Sequence, residues 1–78
     1  MKVECAFGRI LKQLRTAKGL SQEQLALSCG LDRTFISMLE RGQRQPSLSS
    51  ILSLSKSLET PAHEMLKKTT DLIDSEKS

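Results

Sequence analysis

The side chains with the clearest chemical capacity lie between positions 32 and 44, and they are arginines and small polar groups. In Asp32-Arg-Thr-Phe-Ile-Ser-Met-Leu-Glu-Arg41 the apolar Ile36 and Leu39 stand three apart, the spacing of one helix face. When that face turns inward, Arg33, Thr34 and Ser37 project outward. A guanidinium there can donate two parallel hydrogen bonds to guanine O6 and N7, and a threonine can meet a thymine methyl or a phosphate. An arginine in the first helical turn opposes the helix dipole, so an anionic partner would explain its presence; the alternative is a merely hydrated side chain. Phe35 precedes a core position and is expected to be partly exposed. It either meets thymine methyls and the sugar–phosphate edge or packs back on the preceding helix. Ser37 and Met38 are secondary candidates for base or backbone contacts.

Nothing in the chain points to catalysis. There is no constellation of paired carboxylates, no activated nucleophile and no glycine-rich phosphate loop, and His63 falls near a helix start as a surface residue. Cys5 and Cys29 lack a CxxC companion, and one histidine cannot complete a zinc site with them, so neither metal nor cofactor is expected. Cys29 falls at a helix end on its apolar side, where a small buried thiol is the expected role. Residues 1–46 hold eight Lys or Arg against four acids, whereas residues 47–78 hold four against five. A basic first half and a near-neutral second half suit a nucleic-acid face plus an assembly face. With no secretory or transit segment and no apolar run of membrane length, a cytoplasmic location with reduced thiols and no membrane partner is expected.

The elements that must position these residues follow from hydrophobic spacing and punctuation. Seventy-eight residues make one small domain with a marginal core, which dimerisation would help. With no Trp or Tyr, two Phe and no period-two alternation, the core is expected to be Leu, Ile and Ala in an all-α fold. Phe7, Ile10, Leu11, Leu14 and Ala17 predict a helix over about 6–18, ended by Gly19. Ser21 and Gln24 form a capping box opening a helix over 21–29, with small Ala26 where two helices must approach closely. Gly30 supplies the turn and Asp32 caps the helix over 32–41. Gly42 stops it, and Gln43-Arg-Gln-Pro46 is a polar loop. Ser47 opens a serine-rich helix over 47–58 carrying Leu48, Ile51, Leu52, Leu54 and Leu58. Thr60 as cap and Pro61 at the first position start a helix over 61–68 with Ala62, Met65 and Leu66 inward. The domain therefore spans 6–68. Thr69-Thr70 weakens the stripe that Leu72 and Ile73 could extend, leaving 69–78 as a partly disordered tail.

The segments Gly19-Leu-Ser-Gln-Glu-Gln-Leu-Ala, Leu31-Asp-Arg-Thr-Phe-Ile-Ser, Leu39-Glu-Arg-Gly and Gln45-Pro-Ser-Leu48 resemble the Cro/phage-repressor (XRE) family of helix-turn-helix regulators, over roughly residues 8–66. The run Asp-Arg-Thr-aromatic and the short chain look most like the controller proteins of restriction–modification systems. The resemblance implies a five-helix lambda-repressor-like DNA-binding domain with a central helix-turn-helix. It implies a transcriptional regulator that binds double-stranded DNA as a homodimer on inverted-repeat operators, with RNA polymerase a further candidate partner. It also implies that Gln22, opening the second helix, contacts a phosphate, and that Arg15 and Glu40 form a structural ion pair. Arg44, with Gln43 beside it, looks like a phosphate clamp. Leu58, Met65, Leu66, Leu72 and Ile73 are the expected dimer surface. The competing reading is a protein-interaction module, antitoxin-like or polymerase-contacting, on the same fold. The chain departs from the family pattern at Leu58-Glu-Thr-Pro-Ala, where Glu59 replaces the usual glycine.

Overall fold

Capping and left-handed turns cut the chain into α1 (Val3–Ala17), α2 (Gln22–Cys29), α3 (Arg33–Glu40), α4 (Leu48–Leu58) and α5 (Ala62–Lys77). The computed structural model describes residues 1–77, with side chains through Glu76. The capping box is complete: Ser21 Oγ accepts from the Gln24 N–H at 3.0 Å, and Gln24 Oε1 accepts from the Ser21 N–H at 2.8 Å. Gly30 adopts φ of 71°, the left-handed conformation that lets the chain turn from α2 into α3 without a Cβ clash. Ser47 Oγ caps α4 through the Ser50 N–H at 3.1 Å.

Three local expectations are corrected. Asp32 occupies the cap position of α3, its carbonyl accepting from the Ile36 N–H at 3.1 Å, but its carboxylate makes no capping bond. At α5 the Pro61 carbonyl accepts from the Glu64 and Met65 N–H groups, so Pro61 precedes the first helical residue and does not occupy it. Thr60 is not the cap, because its hydroxyl donates back to the Leu58 carbonyl at 3.3 Å. Third, 69–77 is helix, not loose tail, and only Ser78 lies outside the described residues. Thr69 does not break α5, because it is buried with its hydroxyl donating to the Met65 carbonyl one turn back at 2.8 Å. Lys67 and Asp71 add an i,i+4 pair at 2.9 Å, and Arg9 of α1 reaches Glu76 at 3.8 Å. At the other end, α1 begins at Val3, ahead of the expected residue 6.

The core is built from Phe7, Leu11, Leu25, Ala26, Ile36, Leu39, Leu54, Leu58 and Met65. α1 packs against α3 and α5, and α2 lies between α3 and α4, so α3 is gripped from two sides. In α4 the inward face is Ser50, Leu54 and Leu58, at successive i,i+4 spacing. The other leucines of that helix point away, Leu48 and Leu52 being 73% and 55% exposed. Ala17 is also exposed, outside the stripe that carries Phe7 and Leu11. Glu59 takes the left-handed position that a glycine would fill, at φ of 53°, and its carboxylate pairs with Lys18. That hydrogen bond holds the Glu59 carboxyl below its usual pKa. Among the described residues no helix is long and apolar enough to cross a membrane.

Candidate nucleic-acid interface

α3 is anchored by its inner edge and open on its outer one. Ile36 and Leu39 have no exposure to solvent, whereas Arg33 and Thr34 in the first turn are exposed. Ser37 and Met38, further along, are half-buried. Phe35 is half-buried and packs against the core, with its ring lying under the guanidinium of Arg44, whose central carbon is 5.7 Å from the ring centroid. Gln43 and Arg44 are both exposed, in the loop after α3.

The arginines divide into two groups. Arg9 is ion-paired with Glu76, and Arg15 with Glu40. Among the described residues Arg33, Arg41 and Arg44 have no carboxylate partner, and all three lie on α3 or the loop that leaves it. Arg41 was not singled out by its sequence context. It is exposed and donates from Nε to the Ser37 carbonyl at 3.3 Å, alongside the outer face of α3. The signal that could have found it is its place immediately after the helix, three residues before Arg44. Lys18, at the end of α1, is paired with Glu59.

The angle of α3 is set by an ion pair that bridges it to α1. Arg15 Nε donates to Glu40 Oε2 at 2.6 Å, and its terminal nitrogen Nη2 donates to Oε1 at 3.0 Å. Arg15 Nη1 donates to the Leu20 carbonyl at 2.7 Å, tying in the α1–α2 turn. Only 10% of the arginine side chain and 4% of the glutamate side chain reach solvent. Its hydrogen bonds to the Glu40 carboxylate push the Arg15 pKa above its ordinary value. Gln22 joins this network, its Nε2 donating to Glu40 Oε1 at 3.1 Å. The Gln22 amide is thus engaged inside the protein, and what the start of α2 offers outward is its backbone N–H groups.

α1 reaches α3 through Gly8, a residue sequence reasoning passed over. A Cβ at Gly8 would stand 2.3 Å from the Leu39 carbonyl oxygen and 2.8 Å from that of Glu40, so the two backbones touch. Elsewhere, Cys29 is half-buried and its thiol pKa is pushed up by that burial, the behaviour of an inert structural thiol. The dimer candidates divide. Leu58 and Met65 are spent in the monomer core, so neither forms an external surface; Leu66 is 43% exposed, and Leu72 and Ile73 are half-buried.

Five helices with a central helix-turn-helix, its second helix held along one edge, define an XRE-type helix-turn-helix regulator. The family model described as helix-turn-helix matches residues 11–65, and the chain belongs to that family of transcriptional regulators, which are DNA-binding proteins and not enzymes. It is similar to the control protein C.BamHI of Bacillus amyloliquefaciens, 42% identical over 69 residues, covering 87% of this chain and 85% of that protein. The control protein C.SmaI of Serratia marcescens is 41% identical over 56 residues, covering 72% of this chain and 67% of its own. Among solved structures, the restriction-modification controller protein C.AhdI from Aeromonas hydrophila superposes with a TM-score of 0.78 at 50% identity, covering 80% of this chain and 94% of that one.

Proposed function

We propose that this chain is a sequence-specific regulator that binds double-stranded DNA as a homodimer on inverted-repeat operators, in the manner of a restriction–modification controller. The observation that carries this reading is the segregation of the arginines: Arg33, Arg41 and Arg44, on α3 and its following loop, have no carboxylate within ion-pair distance among the described residues, whereas Arg9 lies 3.8 Å from Glu76 and Arg15 is bonded to Glu40. Arg33 and Thr34 read base edges in the major groove from the first turn of α3. Arg44, Gln43 and the α2 N-terminus hold phosphates on either side.

A single helix spans too few base pairs for genomic specificity, so two copies read half-sites about 10 bp apart, or a multiple of that. Of the expected dimer residues, Leu66 is exposed and belongs to a wider apolar face that would support such assembly. Leu48 and Leu52 stand on one side of α4, and the neighbouring Ile51 lines a shallow groove with Val3, Pro46 and Leu66. Among the described residues nothing covers Leu48 and Leu52. Leu52→Glu is expected to shift the protein to monomer in analytical ultracentrifugation while leaving its melting temperature at low concentration almost unchanged, because the side chain is largely solvated already.

Selection of bound sites from a random duplex pool tests the reading: an inverted repeat should emerge, and a pool without enrichment would contradict it. On the selected duplex, Arg33→Ala should cost about 1–3 kcal/mol and relax preference at one base pair per half-site. Arg44→Ala should weaken all duplexes evenly and reduce the slope of log affinity against log salt by about 1 per protomer, read by fluorescence anisotropy across a salt series.

A further inference from the structure

The contact between Phe35 and Arg44 goes beyond anything a count of positive charges would require. Arg44 follows Gln43, whose N–H is tied to the Met38 carbonyl at 2.9 Å. Among the described residues Arg44 itself has no ion pair, and its one specific contact is the ring of Phe35. The two partners differ in how they are held. The ring is half-buried, packed against the core and carried by a helix whose Ile36 and Leu39 are fully buried. The guanidinium sits on an exposed loop, at the end of a side chain with many rotamers. A cation over an aromatic face within about 6 Å is attracted by the ring's quadrupole.

We propose that Phe35 is a positioning residue: it lays the Arg44 guanidinium over a fixed ring on the α3 surface and so presents it, already ordered, to the duplex backbone. This rests on the functional reading above, and it assigns Phe35 a role distinct from both earlier alternatives. The ring neither reads a base nor serves only to fill the core; its exposed face serves the arginine. Ordering before binding matters because an arginine loses its rotamer freedom on meeting a phosphate, and a side chain already restrained loses less. Lysine is the poorer substitute, since its compact, strongly hydrated ammonium has no planar face to lie along the ring.

The test is a double-mutant cycle on the full chain, with duplex affinity as one readout and proton NMR of the free protein as the other. Phe35→Leu should weaken duplex binding about 2–5-fold, evenly across duplex sequences. In an Arg44→Ala background the same change should have almost no further effect, and Phe35→Tyr should retain affinity. Arg44→Lys, which sits on the exposed loop and leaves the core intact, should lose affinity although the charge is kept. In the free protein the Arg44 side-chain methylene protons should show an upfield ring-current shift that vanishes in Phe35→Leu. An equal loss for Phe35→Leu with and without Arg44, a loss confined to particular base sequences, or no ring-current shift overturns the positioning role while leaving the functional reading intact. Absence of duplex binding by the unaltered chain overturns both.

Discussion

Glu40→Ala is expected to destabilise the protein by about 3–5 kcal/mol, read as a fall in the urea midpoint. The pair with Arg15 is not itself a large source of stability, because two charges are taken from water to form it. Removing one partner is different. It leaves a guanidinium with one-tenth of its side chain exposed, a single remaining acceptor at the Leu20 carbonyl, and no counter-charge. Gln22 loses its acceptor at the same time. A domain of this size has a total stability of roughly 4–12 kcal/mol, so the variant retains little margin or none. The double replacement Arg15→Met with Glu40→Leu should recover most of the loss, since apolar groups fill the same space without a stranded charge. If Glu40→Ala instead cost under about 1 kcal/mol, Arg15 would have found water, and the packing of α1 on α3 would be looser than described.

Gly8→Ala is expected to lower stability by about 2–3 kcal/mol, although alanine is the better helix former. The gain in helix propensity is about 1 kcal/mol. Against it stands a methyl group placed 2.3 Å from the Leu39 carbonyl oxygen, 2.8 Å from that of Glu40 and 3.0 Å from the Glu40 carbonyl carbon. These are backbone atoms, so no rotamer change relieves the clash and α1 must move off α3 as a body. The Arg15–Glu40 bonds span the same two helices and lengthen with that movement. Thermal melts followed by circular dichroism check the sign: a lower midpoint supports the close approach, and a higher one would show that α1 can shift freely. The variant should also bind duplex more weakly, since the same movement displaces the anchored edge of α3.

How far the sequence disclosed this architecture depended on whether a residue's role was local. Ser21 and Gln24 cap each other across one turn, and Gly30 sets its own backbone angle, so both were legible from type and spacing. The burial of Ile36 and Leu39 with Arg33 outward followed from helical periodicity alone. Positions whose role depends on a distant neighbour were not legible in this way. Gly8 looks like an ordinary weak point in an amphipathic helix until the Leu39 and Glu40 carbonyls are set beside it. The leucine-rich α4 offers more apolar residues than one face can bury, and spacing did not say which face wins; Ser50, Leu54 and Leu58 took it, freeing Leu48 and Leu52. Thr69-Thr70 interrupts the apolar stripe in sequence, yet the Thr69 hydroxyl is satisfied within the helix by its bond to the Met65 carbonyl. The Arg15–Glu40 pair came from family resemblance, since residues on different helices carry no spacing signal. Gln22 was expected to face outward, and its amide is instead drawn in by that pair.

The central claim is that the outer first turn of α3 enters the major groove with Arg33 on a guanine. Methylation of guanine N7 by dimethyl sulfate, on a selected duplex saturated with protein, addresses it directly. The unaltered protein should protect one guanine N7 in each half-site, and Arg33→Ala, at a concentration that restores saturation, should leave that same guanine reactive while protecting the rest of the site. Identical protection by the two proteins, or no protected guanine in the major groove with the unaltered one, would contradict the assignment of α3 as the reading helix.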